Sequence, residues 1–365
     1  MSTRPSTAAR THRGLRPAAG VIAALIVAAA CAGGGGTSPS GAGGSAGTSP
    51  SEAGASPSEG GGGTGYPDQP ITFVVPFSAG GPTDTVTRLI AEPMGQTLGQ
   101  QIVVQNVEGA GGTLAAGEVA NANPDGYTVL MHHIGMSTAP TLYDDLPYDP
   151  LTDFKTIGLV TEVPMTIIGN KDFEPTTLQE LVDYAKENAD SVTLANAGIG
   201  AASHLCGLLF QDAIETKLTE VPYQGTGPAL TDLVGGQVNF MCDQTTNTAG
   251  QITGGEVKAY AITSPERNPA FPNLPTTAEA GLENLEVSVW HGLYVPAETP
   301  DEVVTTLSDA LKEALKEQSV IDELAKLGTE PVGEDQATPE AHTEKLSSQI
   351  ELWRPIIEEA GVSAP

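Results

Sequence analysis

Ile71-Thr72-Phe73-Val74-Val75 is a β-branched and apolar run, Pro76-Phe77-Ser78-Ala79-Gly80-Gly81-Pro82 breaks it, and from Thr83 to residue 98 the residues Val86, Leu89, Ile90 and Leu98 share one helical face. Strand, glycine-rich turn and amphipathic helix thus follow one another without a linker. Pro93 is expected to bend that helix or shift its start. The alternation continues with a strand over 102–106, the loop Glu108-Gly109-Ala110-Gly111-Gly112, a helix over about 113–121 and a strand over 128–132. Such alternation predicts an α/β fold, a mainly parallel sheet covered by helices.

Working outward, strands are expected at 157–160, 166–169, 192–195, 220–222, 240–242 and 258–263, with helices at 178–188, 203–215 and 228–235. A strand at 287–295 precedes helices at 300–317 and 320–327. The first of these opens Thr299-Pro300-Asp301-Glu302, a cap, a proline and two acids in the first turn. A last helix over 339–360 carries an expected break at Trp353-Arg354-Pro355. Two lobes with two crossings, near 163–168 and 288–294, account for the length. They divide the chain into a discontinuous lobe of 66–166 with 289–365, and a second lobe of 167–288. No repeat of the solenoid kind appears.

The 365 residues carry 16 Lys+Arg against 45 Asp+Glu, a net charge of −29. That balance argues against nucleic acid and against adhesion to anionic lipid through a basic face. Three cysteines cannot form a disulfide framework and lack metal-ligand spacing. At the N-terminus, Arg4, Arg10, Arg13 and Arg16 precede a small and apolar run over 18–30 that is too short to span a bilayer. A basic start, a short apolar core and small residues before Cys31 make an export signal over 1–30. The pattern resembles a bacterial lipobox, with Ala28 where Leu is usual, and implies lipidation of Cys31. Residues 32–65 hold 14 Gly and 7 Ser, a composition that cannot offset its ordering entropy and reads as a tether. Gly43-Gly44-Ser45-Ala46-Gly47 matches a hydrolase nucleophile pattern, but no strand precedes it and no helix follows, so it is read as chance. The globular part is expected outside the cytoplasm, held to the outer face of the membrane through the lipid alone.

Four loops at expected strand ends share Gly, Ser and Thr with almost no charge: 77–84, 133–138, 196–204 and 223–228. Open α/β sheets bind ligands at such ends. Glycine lets the backbone approach a ligand, the following helix contributes roughly half a positive charge, and hydroxyls add donors. A carboxylate can be held this way without Lys or Arg. Enzymatic readings fare worse. Ser203 and His204 are neighbours that diverge on a helix surface, there is no H-E-x-x-H or Walker motif, and Gly198-x-Gly200 lacks the third glycine of a dinucleotide fingerprint. His132 and His133 are read as loop or lobe-interface residues, His204 as a helix-start residue that orients a neighbouring loop, and His291 as a buried structural residue. No metal, cofactor or catalytic residue is assigned.

Ten short motifs now stand in order. Tyr66-Pro-Asp-Gln-Pro-Ile71, Val75-Pro-Phe-Ser-Ala-Gly-Gly-Pro-Thr-Asp84, Gly109-Ala-Gly-Gly112, Pro124-Asp-Gly-Tyr127 and Leu146-Pro-Tyr-Asp149 come first. Gly198-x-Gly200-x-x-Ser203-His204, Val221-Pro-Tyr-Gln-Gly225, Gly227-Pro-Ala-Leu230, Leu274-Pro-Thr276 and Glu279-Ala-Gly281 follow. The set resembles the Bug-type solute receptors of tripartite tricarboxylate transporters over nearly the whole of 66–361. The resemblance implies a two-lobed, type II periplasmic-binding-protein fold that closes on a small organic anion and hands it to integral-membrane permease subunits. Dicarboxylates, tricarboxylates, aromatic acids and acidic amino acids all suit it, and a monomer is the default. Carried over by position, the first ligand loop falls on Ser78, Ala79, Gly80, Gly81, Thr83 and Asp84, and the second on Gly200, Ala201, Ala202, Ser203 and His204. Gly135, Met136, Ser137, Tyr223, Thr226 and Asp243 are expected as cleft walls. Asp243 either accepts hydrogen bonds from a ligand amine or hydroxyl, or from Tyr223 or Asn247, or is structural. Cys206 and Cys242 depart from the family pattern and are either bridged or two buried thiols. The rivals are a receptor for an ABC-type importer, a ligand sensor, and a secreted hydrolase using Ser203 or Ser78.

Overall fold

The computed structural model describes Gly65 to Ala364, so the expected signal segment, Cys31 and the tether up to residue 64 lie outside the described residues. The described residues form one compact unit. It begins β1 (Ile71–Val75), α1 (Pro82–Leu98), β2 (Ile102–Asn106), a 3-10 turn (Ala110–Gly112), α2 (Thr113–Ala120), β3 (Thr128–His133) and α3 (Gly135–Leu142). Next come β4 (Phe154–Asn170), α4 (Leu178–Glu187), β5 (Thr193–Asn196), α5 (Ala202–Ala213), β6 (Thr219–Pro222), α6 (Thr226–Val234), β7 (Phe240–Gln244), α7 (Thr245–Gly254) and β8 (Val257–Ile262). The chain returns through β9 (Ser288–Pro296) and closes with α8 (Asp301–Lys316), α9 (Gln318–Lys326) and α10 (Pro339–Ala360).

Two sheets share one strand. In the first, β1 pairs in parallel with β2 and β3, and β9 joins β3 to β4 by antiparallel pairing. In the second, β5 pairs in parallel with β6 and β7, and the far half of β4 runs antiparallel between β7 and β8. The change of partner is sharp: β4 pairs with β9 up to Pro164 and with β7 from Met165. Where two separate strands at 157–160 and 166–169 were expected, one strand therefore runs through both sheets. The outer strands are parallel and the joins are antiparallel. This is the two-lobed α/β architecture of type II periplasmic binding proteins.

The near-continuous apolar strands follow from helices on both faces. Along β1, Ile71 and Phe73 join Val86, Ile90 and Met94 of α1 and Leu307 and Leu311 of α8. Val74 points the other way, into a cluster with Ala115 and Val119 of α2 and with Leu346, Ile350 and Trp353 of α10. Full burial of each such side chain contributes about 1.5–3 kcal/mol.

Three sequence expectations change. Helix α1 begins at Pro82, one residue before the expected start, and runs through Pro93 to Leu98. The break expected at Pro355 does not form, because Trp353 and Ile357 pack into the core on either side of it, offsetting the roughly 3 kcal/mol an interior proline costs. Gly135–Leu142, whose start was read as part of a loop, and Thr245–Gly254, for which no element was expected, are helices.

Candidate functional site

Four helices of at least nine residues start around one crevice between the sheets. Phe77, Pro82, Thr83 and His133 line it from the β1–α1 and β3–α3 junctions. Ala197, Ala201 to Ser203, Thr226, Asp243 and Gln244 line it from the second sheet, at the starts of α5, α6 and α7. Helix N-termini point unpaired N–H groups and positive dipole ends outward, and no Lys or Arg lies in the wall. The space left is about 10 Å³, room for one water-sized sphere. A larger groove of about 850 Å³ runs between α1 and β2 past Arg88, Glu92 and Gln96. It opens on a sheet edge, and no helix N-terminus lines it.

The crevice is narrow because loops from the two sheets touch. Ser78 N–H donates to Gln224 O at 3.3 Å. A Cβ on Gly225 would collide with the Ser78 side chain, so only glycine permits this approach. Thr138 Oγ1 donates to Gly200 O at 3.3 Å, and the Tyr143 hydroxyl sits 2.8 Å from Ala110 O and 2.9 Å from Ile199 O. Four elements are thereby pinned across one gap.

Each ligand-loop candidate is held by a residue one turn into the next helix. Asp84 Oδ2 accepts from Gly80 N–H and from Arg88 Nε, both at 2.9 Å, while Oδ1 accepts from Arg88 Nη2 at 2.9 Å and Asn106 Nδ2 at 3.0 Å. Burial alone would raise this carboxyl. The bonds from Arg88, Gly80 and Asn106 outweigh it and hold Asp84 below the usual carboxylate range. On the second sheet, His204 Nδ1 accepts from Gly200 N–H at 3.2 Å, its Nε2 lies 3.5 Å from Glu220 Oε2, and Ser203 Oγ accepts from Ala197 N–H at 2.8 Å. Glu220, which burial would also raise, is kept low by His204 and Gln211.

The imidazoles behind the wall are neutral. Burial lowers His132 to about 4 and His291 to about 3, and drives His133 well down. His133 stacks on Phe77 with ring centroids 4.7 Å apart and takes the Gly135 N–H on Nδ1 at 2.9 Å, which leaves its proton on Nε2. His291 Nε2 lies 3.4 Å from Thr83 Oγ1. Ser78 Oγ, His291 Nδ1 and Gln244 Oε1 are buried without a hydrogen-bond partner, and of the three residues Gln244 lines the crevice, where a bound donor would remove the cost. The one ionisable acid in the wall is Asp243, fully buried and pushed up to about 7 by that burial.

Of the residues singled out in the sequence, Thr83, Ala201, Ala202, Ser203, Thr226 and Asp243 meet in the crevice wall. Ser78 lies at the contact between loops, Ala79 and Gly80 face solvent, and Gly81 caps α1. Gly200 and His204 stand behind the second loop. Five further candidates do not line the crevice. Asp84 is spent on holding its loop. Met136 is buried in the hydrophobic core, and Ser137 Oγ is turned to Ile134 O at 2.6 Å, with Gly135 bonded to His133 beside them. The Tyr223 hydroxyl is turned to Asp232 at 2.7 Å, away from the cleft, because α6 presents a carboxylate beside it. Phe77, Pro82, His133, Ala197 and Gln244 were not among the candidates. Phe77, Pro82 and Ala197 lie within the charge-poor loops, and Gln244 follows Asp243 at a strand end, so position in those loops was the available signal.

Neither serine has the surroundings of a nucleophile: the ring of His204 is occupied by Gly200 and Glu220, and Ser78 Oγ has no partner. Among the described residues no cluster of His, Cys, Asp or Glu could hold a metal ion, and no helix is long and apolar enough to cross a membrane. Cys206 and Cys242 are bonded as a disulfide with Cα atoms 6.0 Å apart, tying the first turns of α5 to β7.

Comparison with known proteins agrees with this geometry. Residues 86–362 match the model of the tripartite tricarboxylate transporter family receptor. An Agrobacterium vitis protein, the UPF0065 protein in the TAR-I ttuE-ttuC' intergenic region, is 52% identical over 81% of this chain and 86% of its own. The structure of the periplasmic binding protein BugD is 50% identical, covering 82% of this chain and 99% of that one with a TM-score of 0.80. MatC from Rhodopseudomonas palustris with bound malate is 41% identical over 80% of this chain and all of its own, with a TM-score of 0.78. The chain belongs to the tripartite tricarboxylate transporter receptor family, the Bug-type periplasmic solute-binding receptors, and is a receptor and not an enzyme.

Proposed function

We propose that this receptor captures a small organic carboxylate between its lobes and delivers it to integral-membrane permease subunits, while Cys31 holds it to the membrane by lipid. The lobes are 66–166 with 289–365 and 167–288, hinged where β4 passes from one sheet to the other and where the chain returns into β9. One observation carries the reading: four helix N-termini surround a crevice lined by hydroxyls and without a Lys or Arg in its wall. Such a site favours an anion through dipoles and hydrogen bonds. The remaining space is too small for a dicarboxylate, so the described conformation is the closed one, and a ligand enters when the contacts of Ser78, Thr138 and Tyr143 part. The malate bound to MatC is consistent with a ligand of this class.

A thermal-shift screen of di- and tricarboxylates, aromatic acids and acidic amino acids on the exported domain tests it. A ligand at 100 times its dissociation constant adds about 2.7 kcal/mol, roughly 5 °C in a domain of this size. No shift with any carboxylate would overturn the reading.

A further inference from the structure

The crevice wall is mostly donors, with one exception. Asp243 ends β7 with its carboxylate fully buried, Oδ1 accepting from Gln244 N–H at 2.8 Å and Oδ2 from Asn247 Nδ2 at 2.5 Å. Asn247 Nδ2 also lies 3.4 Å from Thr226 Oγ1. A carboxylate offers about four acceptor sites, so acceptor capacity remains, and Asp243 borders the crevice. The next residue, Gln244, borders it too, with Oε1 buried and unpartnered. Two acceptors are therefore adjacent in a pocket whose other polar side chains are the hydroxyls of Thr83, Ser203 and Thr226 and the His133 ring. Against the oxygen of a plain carboxylate ligand they would repel, and unpaired they cost free energy.

Resting on the carboxylate reading above, we propose that Asp243 and Gln244 read a hydrogen-bond donor on the ligand, so that the receptor takes a carboxylate bearing a hydroxyl or an ammonium group over the unsubstituted acid. A site built to accept from a ligand O–H or N–H discriminates strongly against the analogue that lacks it, because the buried acceptor is then left unpaired. Burial raises the Asp243 carboxyl to about 7, the state of an acid still lacking a nearby positive partner. Asn247 and Thr226 fix its orientation from α7 and α6, making it a specificity residue held by two helices.

Calorimetric titration of the exported domain with succinate, malate and aspartate, and with glutarate, 2-hydroxyglutarate and glutamate, tests this. Within the skeleton that binds, the hydroxy or amino member should bind at least tenfold tighter than the unsubstituted acid. Malate against aspartate then tells hydroxyl from ammonium. Asp243→Asn should bring the members of a set within about threefold of one another. Gln244→Met, which removes an acceptor that no protein group uses, should narrow the preference without loss of folding. Equal affinity for succinate and malate and aspartate in the wild type overturns the proposal. So does an Asp243→Asn protein that folds and keeps the preference, or binding of none of the six. If none of the six binds but other carboxylates still shift the melting temperature, only this inference fails. If no carboxylate shifts it, the receptor reading fails as well.

Discussion

The two glycine loops that face each other across the crevice solve one problem with different chemistry. In each, a residue one turn into the helix reaches back four positions to a loop amide, Asp84 to Gly80 and His204 to Gly200. Behind Asp84 stand a guanidinium and an amide, from Arg88 and Asn106. Behind His204 stands Glu220, and two residues further on the Cys206–Cys242 bond fastens the same helix to β7. The first loop is organised by charge and the second by a covalent tie and an imidazole. In both, the ionic groups that organise the loop, Arg88 and Glu220, lie behind it and outside the crevice wall.

The comparison breaks most visibly at the disulfide. With its cysteines 36 positions apart, removal by a double Cys→Ala exchange should cost roughly 4 kcal/mol in denaturant unfolding. Unfolded, unreduced protein that lacks Cys31 should show no free thiol, and two reactive thiols would remove the covalent half of the contrast.

Asp84→Ala should cost about 2 kcal/mol, since Gly80 N–H and Asn106 lose a charged partner while half-exposed Arg88 recovers water. Because the folded carboxyl sits below its ordinary value, its contribution is complete above the unfolded pKa of about 4 and vanishes as pH falls through the lower folded value. Wild type and variant should therefore converge in strong acid. A gap that stays constant there would mean that charge does not organise the first loop.

The smallest effect is expected at the bridge between the two regions. Tyr143→Phe removes one shared hydroxyl, about 1 kcal/mol, from the closed form. Small-angle scattering of the ligand-free variant should show a larger radius of gyration than wild type. An unchanged radius would mean that the contact to Ile199 does not hold the lobes together.

Much of this was legible in the sequence, for identifiable reasons. The run from Ile71 to Leu98 announces strand, turn and helix because its apolar period switches at the Gly80-Gly81 turn. The second loop could be placed because glycine, hydroxyl and helix start stand together at 198–204. By contrast, α7 reads Thr-Thr-Asn-Thr-Ala-Gly-Gln with no apolar stripe. It is helical because its threonines find partners in the fold, Thr248 with Thr166 at 2.9 Å and Thr245 buried against Gly328. Met136 looked like a wall residue because its loop did, yet a helix turns it into the core. Asp84 looked like a ligand contact because its clamp needs Asn106, 22 residues on, a tertiary pairing that no local pattern announces.

Capture by neutral donors is tested most directly by the salt dependence of carboxylate affinity, using the acid that gives the largest thermal shift. The chain carries a net charge of −29 and repels an anion at long range, and salt screens that repulsion. The dissociation constant should stay level or fall as sodium chloride is raised from low to high concentration. A constant that climbs steeply with salt, the mark of a ligand held by ion pairs, would contradict capture by amides and hydroxyls.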